Sequence, residues 1–159
     1  LVDTAREASQ TQDDFVPWFA NLEGQVTRLD INVLSIFFTY TVYCGGNHPN
    51  ITTFSVTYNA KTGKAMLLSD ILKEGHSEKE LTSEVNRVLT PSANDLFDDY
   101  EALVGEQFAA GYTENWYLTE NSLCFHYAPY AIAPYASGIV TAEISLTSLK
   151  DLLQYTYTN

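Results

Sequence analysis

Strand-type, helix-type and again strand-type stretches follow one another along this chain. From Gln25 to Cys44 the residues are dominated by Val, Ile, Thr, Phe and Tyr, the β-branched and aromatic types that fit a pleated surface. This run is longer than one ordinary strand, so a bend near Asp30 to Asn32 is predicted to make two. Gly45, Gly46, Asn47, His48, Pro49 and Asn50 form a turn, and Ile51 to Tyr58 returns antiparallel. Another turn is expected at Gly63, and Ser69 with Asp70 is placed to cap a short helix through Ile71 and Leu72.

The helical period then takes over. Ser77 and Glu80 have capping-box spacing, and Leu81, Val85, Val88 and Leu89 share one face of the helix that follows. Pro91 stops it. Ser92 with Asp95 is predicted to start a second helix with Leu96, Phe97, Tyr100, Leu103 and Val104 on one face, ending at Gly105 or Gly111. Trp116 to Thr119 and Leu123 to Tyr127 read as a hairpin, and Ile139 to Leu146 as a last strand. Thr147 to Leu153 reads as a closing helical turn. The first stretch, with Phe15, Pro17, Trp18 and Phe19, is expected to be a short helix leading into the core. The chain is thus divided into a helical lead-in, 1–23, and a domain, 24–159, of the α+β class: a mainly antiparallel sheet with two principal helices on one face.

Composition narrows the function. A chain of 159 residues suits one domain, and 45% apolar with 18% charged residues is the balance of a folded protein. The formal net charge of −12 repels phosphate backbones and anionic headgroups, so nucleic acid is not an expected partner, whereas cationic proteins are attracted. No apolar run is long enough to span a bilayer. The sequence opens on Leu1 rather than Met, from which a signal peptide or membrane anchor is expected to precede it. Cys44 and Cys124 lack zinc-knuckle spacing. They are expected in or beside strands of one sheet, either free or joined by a disulfide.

Chemistry-bearing patterns are few. His48, His76 and His126 lie in a turn, a loop and a strand, and would make a metal site only by converging in space. Asp95, Asp98, Asp99 and Glu101 crowd the start of the second helix, where carboxylates favour the dipole, without calcium-loop spacing. No G-x-S-x-G element occurs. No cofactor, metal or catalytic residue is therefore assigned.

The segment Ala128-Pro-Tyr-Ala-Ile-Ala-Pro-Tyr-Ala-Ser-Gly138 is different: it carries no charge and repeats a Pro-Tyr pair. Proline stiffens the backbone in advance, so less entropy is lost if Tyr130 and Tyr135 meet a partner. The bland alternative is that both tyrosines belong to the core. The ligand-binding set read from the sequence is Pro129, Tyr130, Ile132, Pro134 and Tyr135, with Gly46 and His48 of the GGNHPN turn on the same rim.

PYAIAPYASG, following WYLTENSLCFHY, resembles the C-terminal extracellular domain of RsiV-type anti-sigma factors, a family also found beside wall polysaccharide deacetylases. YCGGNHPN is similar to that family's aromatic-x-Gly-Gly-x-His turn, and FSVTYNAKTGKAMLLSDIL to its strand, Lys-Thr-Gly turn and Leu-x-Asp-Leu helix. The resemblance covers roughly residues 33 to 149. It implies an α+β domain outside the cytoplasmic membrane and, in one branch, a receptor for lysozyme whose Pro-Tyr loop enters the partner's cleft. Carried over, that loop is Pro129, Tyr130, Pro134 and Tyr135; where the family commonly has an acid between the pairs, this chain has Ala131. The function expected is a sensing or binding domain of the bacterial envelope that meets a protein, such as a cationic lysozyme, or a peptidoglycan fragment. The alternatives are a wall-active hydrolase or deacetylase using His48, His126 and carboxylates, and a purely structural accessory domain.

Overall fold

The bend expected near Asp30 is built by that residue's carboxylate. Its Oδ1 accepts the N–H groups of Asn32 (2.7 Å) and Val33 (2.9 Å), while Oδ2 accepts Arg28 Nε at 2.6 Å. Burial opposes the charge, but the bonds from Asn32, Arg28 and Val33 outweigh it and hold the Asp30 carboxyl below its ordinary pKa. The turn separates β1 (Phe19–Leu29) from β2 (Val33–Tyr43), and β3 (Asn50–Asn59) returns antiparallel beside β2. These three make the first sheet, in the order β1-β2-β3. The computed structural model describes residues 2–11, 16–77, 79–109 and 115–158.

A second antiparallel sheet has the order β4 (Trp116–Leu118), β5 (Ser122–Tyr127), β6 (Val140–Ser145). The strands therefore divide between two sheets within the expected α+β class. Helices α2 (Lys79–Leu89) and α3 (Tyr100–Ala109) cover the second sheet, burying Leu81, Val85, Leu89, Tyr100 and Val104 in one core with Trp116, Leu123, Phe125 and Ile144. Val88 and Leu103 are partly buried against it. From the first sheet, Val33 alone joins this core among the described residues.

The α2 start follows half of the predicted box: Glu80 Oε1 accepts the Ser77 N–H at 2.9 Å, but the Glu80 N–H bonds the Ser77 carbonyl rather than its hydroxyl. Bonds from His76, first, and the Ser77 N–H lower the Glu80 pKa. The short helix before it is a 3-10 turn, Leu68–Ile71, closed by the Asp70 carboxylate on the Leu67 N–H at 2.8 Å. The chain then passes through Pro91 in a 3-10 turn, Thr90–Asp95, and α3 starts eight residues later than Ser92, at Tyr100. The Phe97 N–H explains the delay, because it bonds the Ile132 carbonyl (2.9 Å) instead of a carbonyl one turn back. Gly105 lies inside α3, and Gly111 falls outside the described residues.

Two expectations are corrected. The N-terminal helix, α1 (Val2–Thr11), buries no residue, because apart from Val2 its apolar positions are alanines; β1 begins at Phe19, within the stretch assigned to the lead-in. Phe15 falls outside the described residues. Cys44 and Cys124 lie with different sheets, the first exposed just after β2 and the second buried in β5, and both are free. Strand-type residues at each cysteine reveal a strand but not the sheet it joins. The closing segment is a series of turns before a short helix, α4 (Tyr155–Thr158). No helix among the described residues is long and apolar enough to cross a membrane.

The sheets meet through hydroxyls. Leu118 and Trp116, on the outer edge of β4, have their N–H and C=O bonded by Ser35 Oγ (3.0 Å) and Ser55 Oγ. Ser35 also bonds Thr57 Oγ1 at 2.7 Å. An edge strand that would otherwise bury unpaired backbone is thereby satisfied by side chains of the neighbouring sheet.

Candidate functional site

The two Pro-Tyr pairs do different work. Pro129 and Tyr130 occupy the central positions of a turn closed by the Ala131 N–H on the Ala128 carbonyl at 3.0 Å, and Tyr130 has φ of 70°. Proline second and a positive φ third is the pattern of a type II turn, where glycine is the usual third residue. A tyrosine held there is strained by roughly 1–2 kcal/mol. Pro134 and Tyr135 instead begin the 3-10 turn Tyr135–Ser137, which ends at Gly138.

This loop meets the GGNHPN turn, whose Gly45 and Gly46 both have positive φ and whose Gly46 carbonyl accepts the Tyr43 hydroxyl at 3.0 Å. The His48 ring stacks on Tyr135 with centroids 3.7 Å apart and an interplanar angle of 20°. Tyr135 donates its hydroxyl to the Pro49 carbonyl at 2.9 Å, and His48 Nδ1 lies 3.0 Å from the same oxygen. A carbonyl only accepts, so Nδ1 carries a proton, and Nε2 on the other side of the ring lies 3.4 Å from the Tyr130 hydroxyl. The Tyr130 ring lies 5.6 Å from Tyr135 and 6.1 Å from His48. Three rings thus form one cluster, with Tyr135 and His48 half-buried beneath it and Tyr130 59% exposed.

Of the residues expected here, Tyr130, Pro134 and Gly46 are exposed, and Pro129, Tyr135 and His48 are half-buried. Ile132 is corrected: it is fully buried in the core and has no surface to offer a ligand. Its apolar side chain anchors the loop from below while its carbonyl holds Phe97. The Pro49 carbonyl, the shared acceptor, was not foreseen, since a backbone oxygen leaves no mark in the sequence. Nor was a shallow depression of about 470 Å³ beside the loop, lined by Ser92, Asp95, Leu96, Ala136, Ser137, Ile139 and Val140.

The three histidines occupy three places. His126 is fully buried between the sheets, with Nε2 3.0 Å from Ser55 Oγ and Nδ1 2.9 Å from Thr53 Oγ1. His76 pairs with Glu80 at the head of α2. Among the described residues, no group of three or more His, Cys, Asp or Glu is placed to hold a metal ion. Burial, and then neighbouring Glu143, pushes the Cys124 thiol up to about 12; burial, and then Cys124, pushes Tyr117 up to about 12. Neither is a nucleophile at neutral pH.

The family model described as "Protein of unknown function (DUF3298)" matches residues 68–147. That span contains α2, α3, the second sheet and the whole Pro-Tyr loop, but not the His48 turn. A crystal structure of a DUF3298 family protein from Pseudomonas aeruginosa PAO1 aligns with a TM-score of 0.65 at 18% identity, covering 99% of this chain and 71% of that one. A family member from Bacteroides fragilis NCTC 9343 aligns with a TM-score of 0.69 at 24% identity, covering 96% and 61%. At these identities the likeness is one of fold, and the chain spans less than two thirds of the second relative. No curated protein matches the sequence.

Proposed function

The chain belongs to the DUF3298 family of proteins of unknown function, and from its exposed aromatic cluster we propose that it is a ligand-binding domain of the bacterial cell envelope, acting outside the cytoplasmic membrane and catalysing nothing. The observation that carries this reading is Tyr130, a large ring held 59% exposed on a backbone of positive φ and backed by Tyr135 and His48. A strained, exposed aromatic on a stiff loop costs stability and is of use at an interface, where a rigid ring contributes area at little entropic cost.

The resemblance to RsiV-type domains makes a cationic lysozyme of the animal type the first partner to test, and the net charge of −12 favours its approach. Ala131, where that family commonly has an acid, packs against the core here, so any contact to a cationic cleft falls to the tyrosines. Peptidoglycan fragments are the second probe, since sugar rings also stack on aromatic faces. The hydrolase alternative draws no support from the geometry, because His126 is sealed between the sheets and His48 sits with the tyrosines at the rim.

Calorimetric titration with lysozyme and with muropeptides tests the proposal. Tyr130→Ala and Tyr135→Ala are expected to weaken the interaction by roughly 1–3 kcal/mol, as hot-spot aromatics do. Unchanged binding by both variants would move the site elsewhere.

A further inference from the structure

β1 is an edge of the first sheet with β2 as its neighbour, and among the described residues no backbone hydrogen bond reaches the outer side of residues 19–26. The other edges differ. Ala65 and Met66 meet the outer side of β3, the Ser35 and Ser55 hydroxyls satisfy that of β4, and β6 has only six residues. β1 has eleven residues and is exposed all along 19–26. In an antiparallel edge strand every second residue turns its N–H and C=O away from its neighbour, at a spacing that another strand matches. Proteins commonly blunt such an edge with proline, lysine or a bulge. Residues 19–26 hold no proline and no lysine, and the bulge lies at their far end, between Val26 and Arg28.

We infer that β1 takes up an extended peptide as a fourth strand of this sheet, one that alternates basic with apolar side chains. The bare backbone sets the form of the occupant, since an extended chain presents its donors and acceptors at the spacing of an open edge. The two sides of β1 set its side chains. Glu23 and Gln25 pair with Thr39 and Phe37, and these four line, with Gly24, a depression of about 390 Å³ on the inward side. The Glu23 carboxylate is exposed there, accepts Asn21 Nδ2 at 2.9 Å and forms no ion pair among the described residues. A lysine or arginine of the added strand brings its cation to that carboxylate and lays its methylenes toward the Phe37 ring. On the outward side Leu22 and Val26 are 57% and 56% exposed, and Gly24 leaves the Phe38 ring lying across the strand. Apolar residues of the peptide cover these positions. Charge then excludes an acidic strand: Glu23 and the net charge of −12 disfavour a second copy of this chain and favour a basic segment. The edge is separate from the Tyr130 cluster and does not depend on it.

Titration of the whole chain with an end-blocked synthetic peptide of about eight residues, alternating lysine and valine, tests the strand addition when followed by NMR. The peptide is expected to bind, and the outward-facing backbone amides of residues 19–26 should then exchange with solvent roughly tenfold more slowly or better. The corresponding peptide of glutamate and valine should not bind the native chain. Glu23→Lys, an exposed change, should weaken the lysine peptide roughly tenfold or more and admit the glutamate peptide. Glu23→Gln, which keeps the shape, should also weaken the lysine peptide, and it decides the matter if Glu23→Lys fails to fold by circular dichroism. A lysine peptide that does not bind, that binds without protecting the β1 amides, or that binds both variants as tightly as the native chain would overturn the inference.

Discussion

In the first sheet β2 points Ser35 toward the core and Ile36 away from it, whereas in the second sheet every residue of β5 from Ser122 to Tyr127 is buried. Both sheets have three antiparallel strands and both draw on β-branched and aromatic residues. The second is covered on one face by α2 and α3 and meets the first on another side; the first turns hydroxyls inward alongside Val33 and Phe37, and most of its remaining apolar residues outward. Alternation along a strand therefore identifies two faces without saying which is covered. The cover decides that, and it comes from elements distant in the sequence. In the first sheet the inward hydroxyls are explained by what they touch, the outer backbone edge of β4 and the His126 ring.

The contrast is sharpest in the cysteines. Cys44 at the exposed end of the first sheet should alkylate at the rate of a free thiol. Cys124 in β5 should react only when the domain opens, slower by several orders of magnitude. At pH 9, the ordinary thiol value, Cys124 should remain protonated, because its own titration is pushed up to about 12. Mass spectrometry after timed iodoacetamide treatment reads both sites, and equal rates would break the comparison.

Core truncation comes next in size. Ile144→Ala in β6, at a fully buried position, should cost about 2–5 kcal/mol in urea unfolding. Leu22→Ala on the first sheet should cost less than about 0.5 kcal/mol. Between them lies His126→Leu, which removes the ring that bonds Thr53 and Ser55 and should cost about 1–3 kcal/mol. A cost for Leu22→Ala as large as that for Ile144→Ala would mean that the outer face is covered by another part of the chain.

Much of this was legible in the sequence for local reasons. The Asp30 bend, the GGNHPN turn and the β4–β5 hairpin are set by residues within a few positions of one another, and the structure keeps them. The late start of α3 was not legible, because a single bond from Phe97 to Ile132 crosses between distant segments. The same limit hid the burial of Ile132. Within an uncharged loop nothing local distinguishes the residue that anchors it from the tyrosine two positions earlier that it displays. That Tyr130 and His48 share a rim was expected from their stiff, turn-forming surroundings; the stacking of His48 on Tyr135 and their common acceptor at Pro49 depend on the full fold.

The claim that the Tyr130 ring is displayed for a partner is tested most directly by Tyr130→Gly. Glycine accepts the positive φ without strain, so the melting temperature should stay level or rise slightly. Binding to lysozyme or muropeptide, whichever the native chain captures, should fall roughly tenfold or more. Unaltered affinity in a stable Tyr130→Gly chain would contradict the account, as would a collapse of the fold, which would make the ring a structural element.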